Sequence, residues 1–336
     1  MTLTQTATIT KRAIVLTVIL IVMTASAKIG YQIWYQHYLS TLPKAEDRPD
    51  QRFGTLPNIS FPPNNVSSSN YTYTLDTQTG DFPKLPSSGK VYFIPQAGLS
   101  LLAPEKSKAL ATKLGFTQGP EILSPTSYQF SDGNSGTLLI DLPTANFKYQ
   151  RNVASPSADL VFQGDQQSIA NDFKDYLASV GLLPSDLHDG SSQATFNQNN
   201  PSRSNMAEIS LLPTPIDELP IVTPTNKGLV KVKAYAHDKQ NVAESSYASV
   251  EYTYWPIDTS TVSTYPLKTP TTALNELKSG VGYVIVESLS PQVSITDVYL
   301  AYYESSDYTP YLQPMYVFEG QHFKAIVPAV NTTSAK

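Results

Sequence analysis

The sequence predicts an α+β protein in which a short helix followed by an antiparallel meander recurs after a single N-terminal transmembrane helix. Three observations carry this. Helical periodicity with recognisable caps occurs three times. Each such stretch is followed by alternating apolar and polar runs separated by Gly, Asn and Pro turns. An apolar run, residues 13–27, directly follows Lys11 and Arg12. Composition agrees: 336 residues with 40% hydrophobic content can build two or three cores, while 26 Pro, 21 Tyr and only 15% charged residues favour strands and turns over long helices.

Residues 1–12 form a short tail kept in the cytoplasm by Lys11 and Arg12. Residues 13–35 then form an anchor about 35 Å long, with Lys28 snorkelling and Trp34 and Tyr35 in the outer aromatic belt. The competing reading is a cleavable signal peptide ending at Ala25-Ser26-Ala27. Either places the bulk of the chain outside the cytoplasm. Residues 36–84 have the Pro, Ser and Asn composition of a stalk, with a strand near residues 71–75 and Asn-x-Ser/Thr sequences at Asn58, Asn65 and Asn70; a further one lies at Asn331.

A first α+β subdomain is expected over 85–155. VYFIP at 91–95 is an apolar strand; a helix over 105–116 follows, with Pro104 near its start and Gly115 at its end. Strands are expected at 127–130, 137–142 and 145–150, with SDGNSG as a turn. The second subdomain, 156–330, holds the clearest helix: Asp165 caps residues 166–180, and Ile169, Phe173, Tyr176, Leu177 and Val180 line one face before Gly181 and Pro184 end it. A hairpin over 229–237 and 246–257 comes next. The third helix has Thr269 as cap, Pro270 at its first position and Gly280 as stop. Strands at 282–288, 293–303 and 311–320, with HFKAIVP as a fourth, close the subdomain before a tail at 331–336.

The Tyr-rich stretch AYYESSDYTPYLQPMYVFEG, 301–320, raises the question of surface or core. Alternation sends Val298, Leu300 and Tyr302 to one side and Tyr299, Ala301 and Tyr303 to the other, and cross-strand packing explains tyrosines in a strand without any ligand. The functional alternative is an exposed aromatic surface; its contact residues would be Tyr302, Tyr303, Tyr308, Tyr311 and Trp255.

TTALNELKSG, then VYLAYYES, YLQPMYVFEG and HFKAIVPAV, together with one N-terminal anchor and an exported α+β region, resemble the YycH/YycI regulators of two-component signalling and PepSY-like domains more broadly. The resemblance covers about 70 C-terminal residues and the overall layout; the stalk has no counterpart. It implies a protein without catalytic residues that binds a membrane sensor kinase or another envelope protein.

Chemistry is sparse. No cysteine is present, which excludes disulfides, thiol nucleophiles and Cys-ligated metals. A net charge of -5 with scattered basic residues speaks against nucleic acid. His37, His188, His237 and His322 show no metal-ligand spacing, although His188 and His237 precede Asp189 and Asp238. There is no Gly-x-Ser-x-Gly elbow, P-loop or dinucleotide glycine pattern. A glycan hydrolase needs two carboxylates roughly 5 to 9.5 Å apart, for which Glu251 and Glu304 are one pair among many. The expectation is therefore a membrane-anchored, extracytoplasmic, non-enzymatic binding protein without cofactor or metal, a regulator or scaffold of a sensor kinase or other envelope complex. The alternatives are a surface module for cell-wall glycan or other polysaccharide, and a glycan hydrolase.

Overall fold

The computed structural model describes residues 28, 30, 31, 34, 35 and 49–331, apart from 64–65, 154–159, 199 and 237–246. Lys28, Tyr31, Trp34 and Tyr35 are helical and exposed, and the Tyr31 ring lies 6.1 Å from Trp34 and 5.9 Å from Tyr35, as spacings of three and four on a helix require. Lys11, Arg12 and the apolar run 13–27 lie outside the described residues, as do His37, Asn65, His237 and Asp238. Among the described residues no helix is long and apolar enough to cross a membrane.

The strands in chain order are β1 (Thr72–Leu75), β2 (Ser88–Phe93), β3 (Gln118–Ser124), β4 (Ser127–Ser131), β5 (Thr137–Asp141), β6 (Phe147–Gln150), β7 (Ser191–Phe196), β8 (Met206–Leu212), β9 (Ile221–Val222), β10 (Val230–Tyr235), β11 (Tyr247–Tyr252), β12 (Asp258–Pro266), β13 (Tyr283–Val286), β14 (Gln292–Tyr303), β15 (Tyr311–Gly320) and β16 (Phe323–Pro328). The helices are α1 (Ala103–Lys113), α2 (Gln166–Val180), α3 (Ser185–Asp189) and α4 (Pro270–Lys278).

These strands form two eight-stranded sheets, which corrects the expected fold class. The protein is mostly β, and the helix-plus-meander unit does not repeat. The middle sheet runs β3-β4-β5-β6-β11-β10-β8-β7 with every neighbour antiparallel. It pairs β6, before α2, with β11, after it, so one sheet takes strands from both sides of residue 155. The outer sheet joins the two ends of the chain: β1 lies parallel to β14, β2 pairs with β12 and β15, and β14, β15, β16 and β13 follow one another. The local pattern identifies helices and strands but says nothing of which strands pair, and long-range pairing replaces the repeat.

Where local chemistry governs, the expectations hold. The Asp165 carboxylate caps α2 by accepting the Ser168 N–H at 2.8 Å, and Gly181 ends the helix at φ 78°. Thr269 caps α4 by accepting the Thr272 N–H. The apolar face of α2 (Ile169, Phe173, Leu177, Val180) packs with Leu138, Tyr149, Ile209, Val232 and Val250 from one face of the middle sheet; α4 contributes Ala273, Leu274 and Leu277 to the core on one face of the outer sheet. The other face of the outer sheet is covered as well. Ile59 and Phe61 pack there against Tyr283, Ala301, Tyr303, Met315, Val317 and Ile326, with the Phe61 ring 5.1 Å from Tyr283 and 5.3 Å from Tyr303. This answers the Tyr-rich stretch in part: Tyr302, Tyr303 and Tyr316 are core residues of a strand pair buried on both faces.

Candidate functional site

The turn between β14 and β15, residues 304–310, is pinned by contacts to three other segments. The Glu304 N–H donates to Val222 O at 2.9 Å in β9. The Trp255 indole N–H donates to Ser305 O at 2.9 Å, tying the turn to the linker between β11 and β12. The Tyr308 hydroxyl donates to Ile94 O at 2.9 Å, and the Ile94 N–H donates to Pro310 O at the same distance. Tyr308 is thereby held half-buried as a ridge between two clefts.

One cleft, of about 230 Å³, is lined by Pro57, Asn58, Tyr303, Tyr308, Tyr311 and Gln313 among others. The second, of about 360 Å³, is lined by Gln96, Asp141, Tyr254, Trp255, Asp307 and Tyr308 among others. Trp255 and Tyr308 meet edge-on at 5.7 Å, and Tyr311 stacks on Phe53 at 4.9 Å, so the aromatic walls are braced from behind. A larger cleft of about 440 Å³ lies elsewhere between the sheets, beside Asp189, Gln193, Ile221, Asn226, Tyr299 and Lys324, and holds none of the five aromatic contact candidates.

Three of the five aromatic candidates converge here with part of their surface open: Trp255, Tyr308 and Tyr311. Tyr303 reaches the first cleft but is buried, and among the described residues its hydroxyl is the buried side-chain polar atom without a hydrogen-bond partner; the Ser305 hydroxyl nearby accepts the Asp307 N–H. Tyr302 points to the opposite face, with its ring edge-on to Tyr92 at 5.6 Å and its hydroxyl donating to Lys90 O at 3.2 Å. It lines neither cleft.

The structure adds a group that the sequence does not reveal. Tyr254, a wall of the second cleft, donates its hydroxyl to both Asp186 oxygens, at 3.0 and 3.1 Å. Beside them lies Glu304, 5% exposed. Burial first, and the like charge of Asp186 second, push its carboxyl up to about 8. Burial, followed by the Asp186 charge, also raises the Tyr254 hydroxyl.

The hydrolase pair is not assembled at either cleft. Burial raises Glu251, but hydrogen bonds from Lys148 (2.6 Å) and Lys231 (2.8 Å) outweigh it and hold the carboxylate below its ordinary value. Glu251 sits in this charge ladder on the open face of the middle sheet, and Glu304 is enclosed at the seam between the sheets. The cleft carboxylates are Asp141, which accepts from the Thr144 N–H and hydroxyl, and Asp307. His188 pairs with Asp189 at 2.7 Å while both are two-thirds exposed. No group of three or more His, Asp or Glu side chains among the described residues is placed to hold a metal ion.

No family model matches the chain, and no curated protein matches it. Among solved structures, the chain is similar to an uncharacterized protein from Eubacterium rectale ATCC 33656, at 11% identity and a TM-score of 0.30 over 73% of this chain and 84% of that one. A likeness that slight supports no statement about fold or function.

Proposed function

We propose that the protein is a non-enzymatic binding protein of the cell envelope and that the two clefts sharing Tyr308 hold a glycan chain. The observation that carries this reading is the convergence of Trp255, Tyr308 and Tyr311 as half-exposed walls of adjoining clefts. An aromatic face suits the C–H face of a sugar ring, and neighbouring amides and carboxylates suit its hydroxyls; Asn58 and Gln313 stand in one cleft, and Gln96, Asp141 and Asp307 in the other. A chain crossing Tyr308 would occupy both. The N-terminal apolar run after Lys11 and Arg12 supports an extracytoplasmic position at the cell membrane. The sequence resemblance favours the regulator of a sensor kinase as the second reading, in which the same aromatic clefts meet a protein.

The test is retention of the full-length chain on isolated cell-wall polysaccharide. Tyr308→Ala is expected to lower retention at least tenfold, and Tyr302→Phe to leave it unchanged. Retention that ignores Tyr308→Ala removes the glycan reading, and stoichiometric co-purification of a membrane kinase then establishes the second.

A further inference from the structure

We propose that Glu304 is a proton-operated latch on the seam between the two sheets, one that sets the walls of the cleft between Trp255 and Tyr308. The ligand arm of its test rests on the binding reading above; the latch itself does not.

Glu304 is the first residue after β14, and its backbone is fixed by the N–H bond to Val222 O. β9 brings Ile221 and Val222 to this place and no titratable group. α3 brings Asp186, and the linker after β11 brings Tyr254. The turn itself carries Asp307 and Tyr308. No lysine, arginine or histidine acts on Glu304 from these elements; the charge acting on it is that of Asp186, of the same sign. The Tyr254 hydroxyl proton is engaged by Asp186.

A buried carboxyl in such a place is tolerable as the neutral acid and costly as an anion, with the like charge of Asp186 beside it and no cation acting on it. Once ionised, the group is relieved by gaining water, and the contacts that must yield to admit it are those that pin the turn on which it sits. That turn carries Ser305 O, the acceptor that holds the Trp255 indole, and Tyr308, the opposite wall. Loss of the proton therefore loosens Trp255 and spreads the cleft; gain of the proton restores it. Burial and Asp186 keep the proton on Glu304 up to about pH 8, which brings the transition within reach of ordinary conditions.

The chain has two tryptophans, Trp34 and Trp255, so the full-length Trp34→Phe protein in detergent reports Trp255 alone. Its emission is expected to shift to the red as pH rises from 6 to 9, with a midpoint near 8. Glu304→Gln should abolish the shift, and Asp186→Asn, by removing the repelling charge, should move the midpoint to lower pH. No shift in the Trp34→Phe protein, or an unchanged shift in Glu304→Gln, overturns the latch. Retention on wall polysaccharide supplies the second arm. Loss at pH 9 relative to pH 6, absent in Glu304→Gln, supports both proposals. A Glu304-dependent emission shift with no retention at either pH supports the latch and removes the glycan reading. Retention equal at both pH values overturns the coupling of latch to cleft.

Discussion

The two sheets differ in how many faces they cover, and the difference decides what their tyrosines do. The middle sheet buries one face. Along β5 and β6, Leu138, Ile140, Phe147 and Tyr149 turn inward and Leu139 and Lys148 outward, and the outer row continues through Glu251 and Lys231 as a charge ladder. The outer sheet buries both. From Leu312 to Phe318 every residue of β15 is buried, whichever face it points to. A tyrosine there has no solvent side to turn to, so along β15 the aromatic residue that reaches the surface is Tyr311, where the strand begins beside the turn carrying Tyr308.

The contrast is tested first by truncation. Met315→Ala and Phe318→Ala act on opposite faces of β15, and each is expected to cost about 2–5 kcal/mol in urea unfolding. In the middle sheet the same pair of substitutions should separate: Leu138→Ala costs about 2–5 kcal/mol, whereas Leu139→Ala, 41% exposed, stays within about 1 kcal/mol. Equal costs at Leu138 and Leu139 would break the one-face description.

Glu304 gives the next largest effect. Its folded-state carboxyl is raised to about 8 from an ordinary value of 4.5, so the unfolded chain releases this proton first as pH rises. Stability is then lost progressively between about pH 4.5 and 8, by on the order of 5 kcal/mol at most, and Glu304→Gln should flatten that slope. Thermal unfolding across this range checks it; a slope unchanged by the substitution would sink the account of Glu304.

Smaller effects follow from local chemistry. Asp165→Ala removes the α2 cap and should cost about 1 kcal/mol, read as a lower urea midpoint with unchanged slope. Glu251→Gln, at the exposed ladder, should cost less than about 1 kcal/mol, and less again in high salt. A cost of several kcal/mol there would mean that the open face is covered.

These contrasts also explain what the sequence could show. α2 and α4 are legible to their caps because Asp165, Gly181 and Thr269 act within one turn of the residues they serve. β5, β6 and β14 are legible because alternation survives where burial differs between faces or where strands are long. β3, β7 and β12 are not: QGPEILS is exposed along its length, SSQATF lies at the sheet edge and DTSTVSTYP is mostly polar, so none carries an apolar stripe. Strand partners were invisible for a different reason, since β1 and β14 meet from opposite ends of the chain. At the site, residue type pointed to Trp255, Tyr308 and Tyr311. It could not separate them from Tyr302 and Tyr303, whose exposure depends on the second covered face, nor bring Asp186 to Glu304.

The parallel pairing of β1 with β14 also sets an order of assembly. A chain emerging N-terminus first can complete the middle sheet once β11 has appeared, because all its strands lie between Gln118 and Tyr252. β2 gains one partner when β12 appears, but β1 must wait, unpaired, until β14 arrives to receive it. The half of the protein that carries the aromatic clefts is therefore finished last, and a chain stopped before β14 retains a partner for every strand of the middle sheet while leaving β1 without its own.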